Sequence, residues 1–189
     1  ISREIAPIYN EEMKIADIPT VFHEIETNGI GYLDLMFDLS DVPEKNLPMV
    51  GLLQAVLGII DTEHYEYGEL FNEINRHTGG IGTSLELYPD VTKVKEKEFK
   101  ATFEIKGKAL YGQIPFAIRM MKEILTASKL DDEKRLKEIL SMTKTRLQDR
   151  FLSAGHSAAA LRAMSYKSPI SKFKDTTNGI EYYQNIREM

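Results

Sequence analysis

The chain has 189 residues and a formal net charge of −5; 42% of its residues are hydrophobic and 28% are charged. This balance predicts one globular domain with a sizeable core, and the negative charge disfavours nucleic acid, which needs clustered Lys and Arg. No run approaches 18 apolar residues, so no membrane span is predicted, and zero cysteines exclude disulfides, thiolate metal sites and cysteine catalysis.

The two ends predict a segment of a longer protein. The chain begins at Ile1 rather than Met, lacks a secretory signal, and ends at Met189 inside a helix-like stretch. Residues 1–19 are mixed and polar, close at Pro19 and predict a tether, so residues 20–189 are expected to form a single domain truncated at both ends. The lack of cysteine favours a reducing compartment, the cytoplasm or an organelle lumen, without deciding between them.

The first half of the domain is expected to hold two strands and then two helices. Residues 20–27 predict a short strand, and the glycines that follow supply a turn. Residues 32–39 alternate apolar and polar side chains, which indicates a half-buried strand. A buried helix is predicted over 47–60, and apolar residues at i, i+3, i+4 and i+7 over 67–74 predict a second helix.

The second half repeats this order. Strands are expected over 81–88 and 97–107, and helices over 113–126 and 133–153. The long helix carries an apolar stripe of Leu136, Leu140, Thr143 and Leu147.

Three features are expected after the long helix. The small residues at 152–164 permit close helix contact, and Gly155 predicts a kink or a break. Residues 168–179 predict a loop, and an amphipathic segment begins near Ile180. The resulting order, β-β-α-α-β-β-α-α with a final helix begun, predicts an α+β fold: a mainly antiparallel sheet with helices packed on one face.

A glycine-rich stretch, NEINRHTGGIGTS at residues 72–84, raises the question of a phosphate-binding loop. Such a loop follows a strand and precedes a helix, so that free N–H groups at the helix start face the anion. Here the predicted helix comes first, a strand follows, and no lysine succeeds the glycines. We therefore interpret Gly79 or Gly80 as the left-handed residue that closes the helix, after Arg76 and His77 in its last turn.

Other candidate chemistry is sparse. No two histidines lie within one helical turn, the spacing that a helix-borne zinc site needs. An acidic segment over 61–69 lies between two predicted helices, matches no metal-ligand template and is interpreted as a solvated connection. Serines near one histidine suggest hydrolase chemistry only superficially, since no Gly-x-Ser-x-Gly elbow precedes a helix. The residues considered are His23, His64, His77, His156, Asp61, Glu63, Glu66, Glu69, Ser153, Ser157 and Ser165.

The order of elements and several longer stretches resemble the zinc metallopeptidases of the pitrilysin/insulinase type. In that family one helix carries His-x-x-Glu-His, the next ends in Gly-Gly, and a strand then enters. INRHTGGIGTSLELYPD (74–90) matches that shape. KIADIP (14–19), LMFDLSDVPEKNLPMVGLL (35–53) and DRFLSAGHSAAALRAMSYKSPISKFKDTTNGI (149–180) resemble the presequence-protease branch, at the segment that opens its non-catalytic C-terminal half.

One departure from the family decides what the resemblance implies. Where the catalytic half places His-x-x-Glu-His, this helix reads MVGLLQAVLGII, and Val50-Gly51-Leu52-Leu53-Gln54 offers no ligand. No catalytic, cofactor-binding or metal-binding residue is therefore assigned. The resemblance implies a metallopeptidase-like, non-catalytic domain of a zinc endopeptidase that degrades unstructured peptides in a closed chamber, with zinc bound elsewhere in the parent. Residues 1–19 would then lead from the hinge between its two halves.

The implied partners are the other domains of the parent protease and unstructured peptides, with no nucleic acid and no membrane. An alternative is a catalytically inactive scaffold subunit of the same fold, like the core subunits of respiratory complexes. A free-standing peptide-binding module is disfavoured by the missing start methionine and the cut terminal helix. The presence or absence of His-x-x-Glu-His upstream in the complete reading frame distinguishes the first two hypotheses.

Overall fold

The computed structural model describes residues 9–90, 92 and 98–189. In that part of the chain the strands are β1 (Asn10–Ile15), β2 (Ile18–His23), β3 (Ile30–Asp38), β4 (Ile81–Pro89) and β5 (Phe99–Leu110). The α-helices are α1 (Leu47–Val56), α2 (Tyr67–His77), α3 (Ile114–Thr126), α4 (Glu133–Ser153), α5 (Gly155–Ser165), α6 (Pro169–Asn178) and α7 (Ile180–Arg187). The fold is α+β with antiparallel sheets, as the sequence predicts.

The main sheet has the strand order β3-β5-β4, and both strand pairs are antiparallel. β5 is therefore the central strand, while β3 and β4 form the two edges. Leu35 and Thr83 lie opposite Ile105 from either side. Because side chains alternate along a strand, Ile105 faces the helices and its neighbours Glu104 and Lys106 face the other side. One sheet face is thus apolar and the other is charged.

The core lies between the apolar sheet face and the helices α1, α2 and α3. Its buried members come from β5, from α2 and α3, and from the residue that follows α1. Partly buried residues of β3 and β4 pack against them. These buried members are Leu57, Leu70, Ile74, Phe103, Ile105, Met120, Met121 and Ile124. The period-two pattern of the strands and the 3.6-residue pattern of the helices meet in this layer.

A second helical layer packs on the far side of α1. Val56 and Ile60 form a cluster with Ile139 of α4, while Leu147 of α4 packs with Tyr182 and Ile186 of α7. Two residues of the apolar stripe predicted along α4, Thr143 and Leu147, are buried. Ile139, which was not part of that stripe, is buried as well. None of the helices in the described residues combines the length and the apolar character that crossing a bilayer requires.

β1 and β2 form a separate two-stranded hairpin. Ile15 pairs with Ile18 around a tight turn, whose residues Ala16 and Asp17 have φ of 49° and 65°. The strand predicted over 20–27 therefore begins earlier, at Ile18, and ends at His23. Part of the predicted tether forms β1, while residues 1–8 of the tether lie outside the described residues. The first residue of the strand predicted over 97–107 also lies outside them.

Residues 168–179, predicted as a loop, instead form α6 and the residue after it. The Ser168 hydroxyl accepts a hydrogen bond from the backbone of the first turn, and Pro169 occupies the first helical position. Asp175 and Thr177 are buried in this helix and hydrogen-bonded there. The prediction was wrong because the polar composition of this stretch indicated solvent exposure, whereas Asp175 is buried and accepts hydrogen bonds from Arg162 and from the Ile180 N–H.

Two helix ends also differ from the prediction. α1 ends at Val56 rather than at residue 60, because Leu57 is extended and Gly58 takes a φ of +87°. α2 is capped by extended Thr78, and Gly80, with φ of +112°, lies two residues further on, where its carbonyl accepts a hydrogen bond from the Lys108 N–H of β5. The break predicted at Gly155 is present between α4 and α5. β1 and the additional helix α6 extend the predicted order of elements.

Candidate functional site

Three of the four histidines that the sequence singled out make side-chain contacts in the structure. His23 lies 2.6 Å from the side-chain oxygen of Asn10, across the hairpin. His64 Nδ1 lies 3.1 Å from the Glu123 carboxylate, and His77 packs on the ring of Phe116. His156 lies near the start of α5. In the described ranges, no three His, Asp or Glu side chains converge where a metal ion could be held.

The acidic segment between α1 and α2 organises local structure. Asp61 Oδ1 accepts the Tyr67 N–H at 2.8 Å, at the start of α2. Burial raises the pKa of Glu123, but hydrogen bonds from Thr62 and His64 outweigh it and lower the pKa overall. These contacts tie the segment to α3.

The apolar side chains in the middle of α1 serve packing. Val50 and Leu53 pack against the main core, and Leu52 packs against the α1–α4 cluster. A Cβ built on Gly51 would lie 2.3 Å from the Thr177 carbonyl oxygen, so α1 and α6 touch there. The Gln54 carbonyl accepts a hydrogen bond from the Thr83 hydroxyl at 3.1 Å. These aliphatic side chains do not fit a zinc ion, which requires nitrogen, oxygen or sulfur ligands.

A groove of about 510 Å³ runs beside the edge strand β4. One wall consists of four consecutive strand residues, Ser84 to Leu87, and the other of residues from α4, α5 and α6. Among the strands of the described residues, β4 pairs with β5 alone, so its outer backbone edge borders this space. Phe151, Leu161 and Phe173 supply apolar surface to the opposite wall.

The polar groups of the groove include two cations. Arg150, in the last turn of α4, donates to both the backbone and the side-chain oxygen of Asn178, and Lys174 of α6 lines the same space. Desolvation lowers the pKa of the Arg150 guanidinium. The Ser84 hydroxyl is buried and lacks a hydrogen-bond partner among the described residues.

The charged face of the sheet carries a cluster in which the Lys106 ammonium lies among three carboxylates. Lys106 Nζ lies 2.7 Å from Glu104, 3.2 Å from Glu86 and 3.7 Å from Asp34. Glu104 is fully buried, and its other oxygen accepts hydrogen bonds from Tyr88 at 2.8 Å and from Thr102 at 2.5 Å. Glu86 belongs to both features, because it also lines the groove.

The pKa shifts follow from this arrangement. Burial raises the pKa of Asp34, and the nearby Glu104 charge raises it further, although Lys106 opposes both effects. Burial also acts to raise the pKa of Glu104, but hydrogen bonds from Lys106, Thr102 and Tyr88 outweigh it and lower the pKa. The bond to Glu104 raises the pKa of Tyr88 to about 12 and that of Lys106 above its usual value. The cluster therefore favours the ionised form of Glu104 and disfavours the ionised form of Asp34.

Sequence reasoning identified neither the groove nor the cluster. The alternation along β5 predicts a polar sheet face, but the cross-strand partners Asp34 and Glu86 depend on register. Arg150 lies on the polar side of a predicted helix and carries no signal of a groove. The wall opposite β4 includes α6, which the sequence predicted as a loop.

A family model described as associated with the peptidases of subfamily M-16C matches residues 1–189. Protein HypA of Clostridium perfringens is 34% identical over 97% of the chain, and the match covers 19% of that protein's length. Presequence protease 1, chloroplastic/mitochondrial, of Arabidopsis thaliana is 25% identical over 100% of the chain and 17% of its own length. The mitochondrial presequence protease of Mus musculus is 27% identical over 92% of the chain and 16% of its own length. The chain thus spans less than a fifth of each of these relatives.

Proposed function

Because this chain belongs to the family associated with the peptidases of subfamily M-16C, we propose that it is a non-catalytic domain of a larger zinc metalloendopeptidase. The family match over residues 1–189 is the observation that carries the proposal. The packing of α1 supports the same proposal, because Val50, Leu52 and Leu53 contact neighbouring apolar residues and offer no metal ligand. Peptide hydrolysis is therefore assigned to another part of the parent protein.

The proposed role of the domain is to form part of the wall of a chamber that receives unstructured peptides. Two named relatives are presequence proteases, and the chain corresponds to 16% to 17% of their length. The groove beside β4 offers an open strand edge and apolar surface, which are the features that bind extended peptides. Most backbone groups of a folded protein are already paired within it, so the domain would favour unfolded segments.

The test uses the complete natural polypeptide that contains these residues. We expect its sequence to carry His-x-x-Glu-His upstream of Ile1 and the purified protein to cleave a quenched fluorescent peptide without stable structure. A chelator should abolish cleavage and added zinc should restore it, because metal-activated water is the proposed nucleophile.

Two variants separate the catalytic half from this domain. Replacing the glutamate of the upstream motif by Gln should abolish cleavage, whereas Lys137→Ala, at an exposed position of α4 outside the groove, should leave the chelator-sensitive reaction in place. A complete polypeptide that lacks the motif and does not cleave the peptide would contradict the proposal and favour the inactive scaffold.

A further inference from the structure

We propose that the groove beside β4 binds extended peptide segments that carry a carboxylate, and that Arg150 is the anchor for this group. The location of the groove within a protease rests on the proposed function above. The binding chemistry rests on the contacts of Ser84–Leu87, Arg150 and Lys174.

The strand edge defines the conformation of the ligand. Residues Ser84 to Leu87 line the groove consecutively, and β5 is the pairing partner of β4 on the opposite side. In an edge strand, alternate N–H and C=O groups point away from the sheet and are available to a further strand. Four strand residues span about 13 Å, so the groove accommodates a short extended segment. A peptide that pairs here would extend the three-stranded sheet by one strand.

The opposite wall supplies contacts for side chains. Phe151 at the end of α4, Leu161 of α5 and Phe173 of α6 face β4 across the groove. Successive side chains of an added strand point to opposite faces, so every second side chain can contact this apolar wall.

The charges of the groove favour an anionic group. Arg150 hydrogen-bonds to the oxygens of Asn178 and lies 5.6 Å from the Phe151 ring centroid. Within residues 9–90, 92 and 98–189, it forms no ion pair with a carboxylate. Lys174 adds a second positive charge, and the one carboxylate of the lining, Glu86, is already paired with Lys106 at 3.2 Å. A carboxylate of the ligand would supply the Arg150 guanidinium with a charged hydrogen-bond acceptor.

The carboxylate can come from an acidic side chain or from the C-terminus of the peptide, and four labelled peptides distinguish these sources. Nine-residue peptides are prepared with central Glu or Gln, each ending in a free carboxylate or an amide. A further version of the Glu peptide carries N-methyl groups at alternate backbone positions, which removes strand hydrogen bonds and keeps the side chains. Fluorescence anisotropy measures Kd for the complete polypeptide, in chelator so that no peptide is cleaved.

Arg150→Gln is compared with Arg146→Gln, a replacement of the same kind one turn earlier on α4 and outside the groove lining. We expect Arg150→Gln to weaken binding of carboxylate peptides about tenfold and to remove the preference for carboxylate over amide. Arg146→Gln should leave both unchanged. Lys174→Gln, which removes no hydrogen bond to Asn178, should weaken binding of the same peptides less strongly. It tests the charge requirement if the Arg150 variant does not fold.

Equal affinities of the acid and amide peptides, or no effect of either groove variant, would overturn the carboxylate anchor. Equal binding of the N-methylated peptide would overturn strand pairing. Absence of peptide binding would also overturn the proposal. Binding that depends on Arg150 in a polypeptide that never cleaves peptides would support this inference while refuting the proposed protease function.

Discussion

Gly51 sets the distance between two helices at the scale of a single residue. Its Cα faces the Thr177 carbonyl, and an added methyl group would lie 2.3 Å from that oxygen and 3.1 Å from the Tyr182 ring. Contacts below 3.0 Å with backbone atoms require the helices themselves to move, because a carbonyl group cannot change rotamer. The close approach of α1 to α6 thus depends on the missing side chain.

We expect Gly51→Ala to lower the free energy of unfolding by about 1–3 kcal/mol, as overpacking of a well-packed interior does. Gly68→Ala is the matched control. Gly68 lies in the first turn of α2, and nothing lies within 4 Å of a Cβ built there. That variant should gain about 0.5–1 kcal/mol from helix propensity. Urea unfolding followed by circular dichroism measures both; a neutral Gly51→Ala would show that the two helices are free to separate.

Glu104 is expected to make stability depend on pH. Its folded-state pKa is lowered, so its contribution is fully present above the unfolded pKa of about 4.3 and is lost as pH falls through the folded pKa. Glu104→Gln should cost about 1–3 kcal/mol at pH 7, because Lys106 then lacks its shortest ion pair. The difference from the wild type should shrink below pH 4. Urea titrations at pH 7 and pH 3 test this, and a constant difference would contradict it.

Asp34 provides the opposite control in the same cluster. Burial and the Glu104 charge raise its folded-state pKa, so ionised Asp34 is less favourable in the folded chain than in the unfolded one. The stability that the protonated form of Asp34 contributes to the folded chain is therefore lost as pH rises through its folded-state pKa. We expect Asp34→Asn to leave stability at pH 7 unchanged or increased. A loss of stability comparable with that of Glu104→Gln would show that the two carboxylates act equivalently.

At the scale of elements, α6 shows why one helix could not be predicted from the sequence. Strands β3, β4 and β5 and helices α2, α3 and α4 were predictable because their apolar residues repeat with clear periods of two or 3.6. α6 contains Asp175, Thr176 and Thr177, which are polar but buried. Arg162 and the start of α7 satisfy Asp175, and neither partner is visible from local sequence. The helix was not predictable from its own residues, because the hydrogen bonds that allow Asp175 to be buried come from other helices.

Asp175 is expected to hold α5, α6 and α7 together. Its carboxylate accepts Arg162 Nη1 at 2.7 Å and the Ile180 N–H at 2.9 Å, and its side chain is fully buried. Asp175→Ala leaves both donors without this acceptor and should cost about 3 kcal/mol. Asp175→Asn retains an oxygen acceptor and should cost less.

Lys137→Ala is the surface comparison, because its ion pair with Glu133 is exposed and should contribute less than about 0.5 kcal/mol. Chemical unfolding of the three variants, with Arg162→Ala completing a double-mutant cycle, measures the coupling between Asp175 and Arg162. A coupling energy near zero would assign the cost to helix α7 alone.

At the scale of the whole molecule, the candidate groove arises from two parts of the chain that sequence patterns treat separately. β4 comes from the periodic sheet region, whereas the wall opposite it comes from α4, α5 and α6. The sequence predicted the strand over 81–88 and the break at Gly155, but it predicted neither the edge position of β4 nor that the helices on either side of that break face it. A site formed by tertiary packing of weakly patterned helices leaves no local motif.

The β1–β2 hairpin has an apolar face that is largely exposed to solvent. Met13, Ile15, Ile18 and Phe22 share one face, and Ile18 and Phe22 are 66% and 49% exposed. An isolated two-stranded hairpin is marginally stable in water, so its amides should exchange with solvent much faster than those of central β5 in a protein limited to residues 1–189. In the complete polypeptide, we expect the apolar face to be covered and exchange of the hairpin amides to slow at least tenfold, with β5 as the internal reference. Hydrogen-exchange mass spectrometry of both proteins measures this. Equal hairpin exchange in the two would mean that the apolar face stays open to solvent in the parent protein.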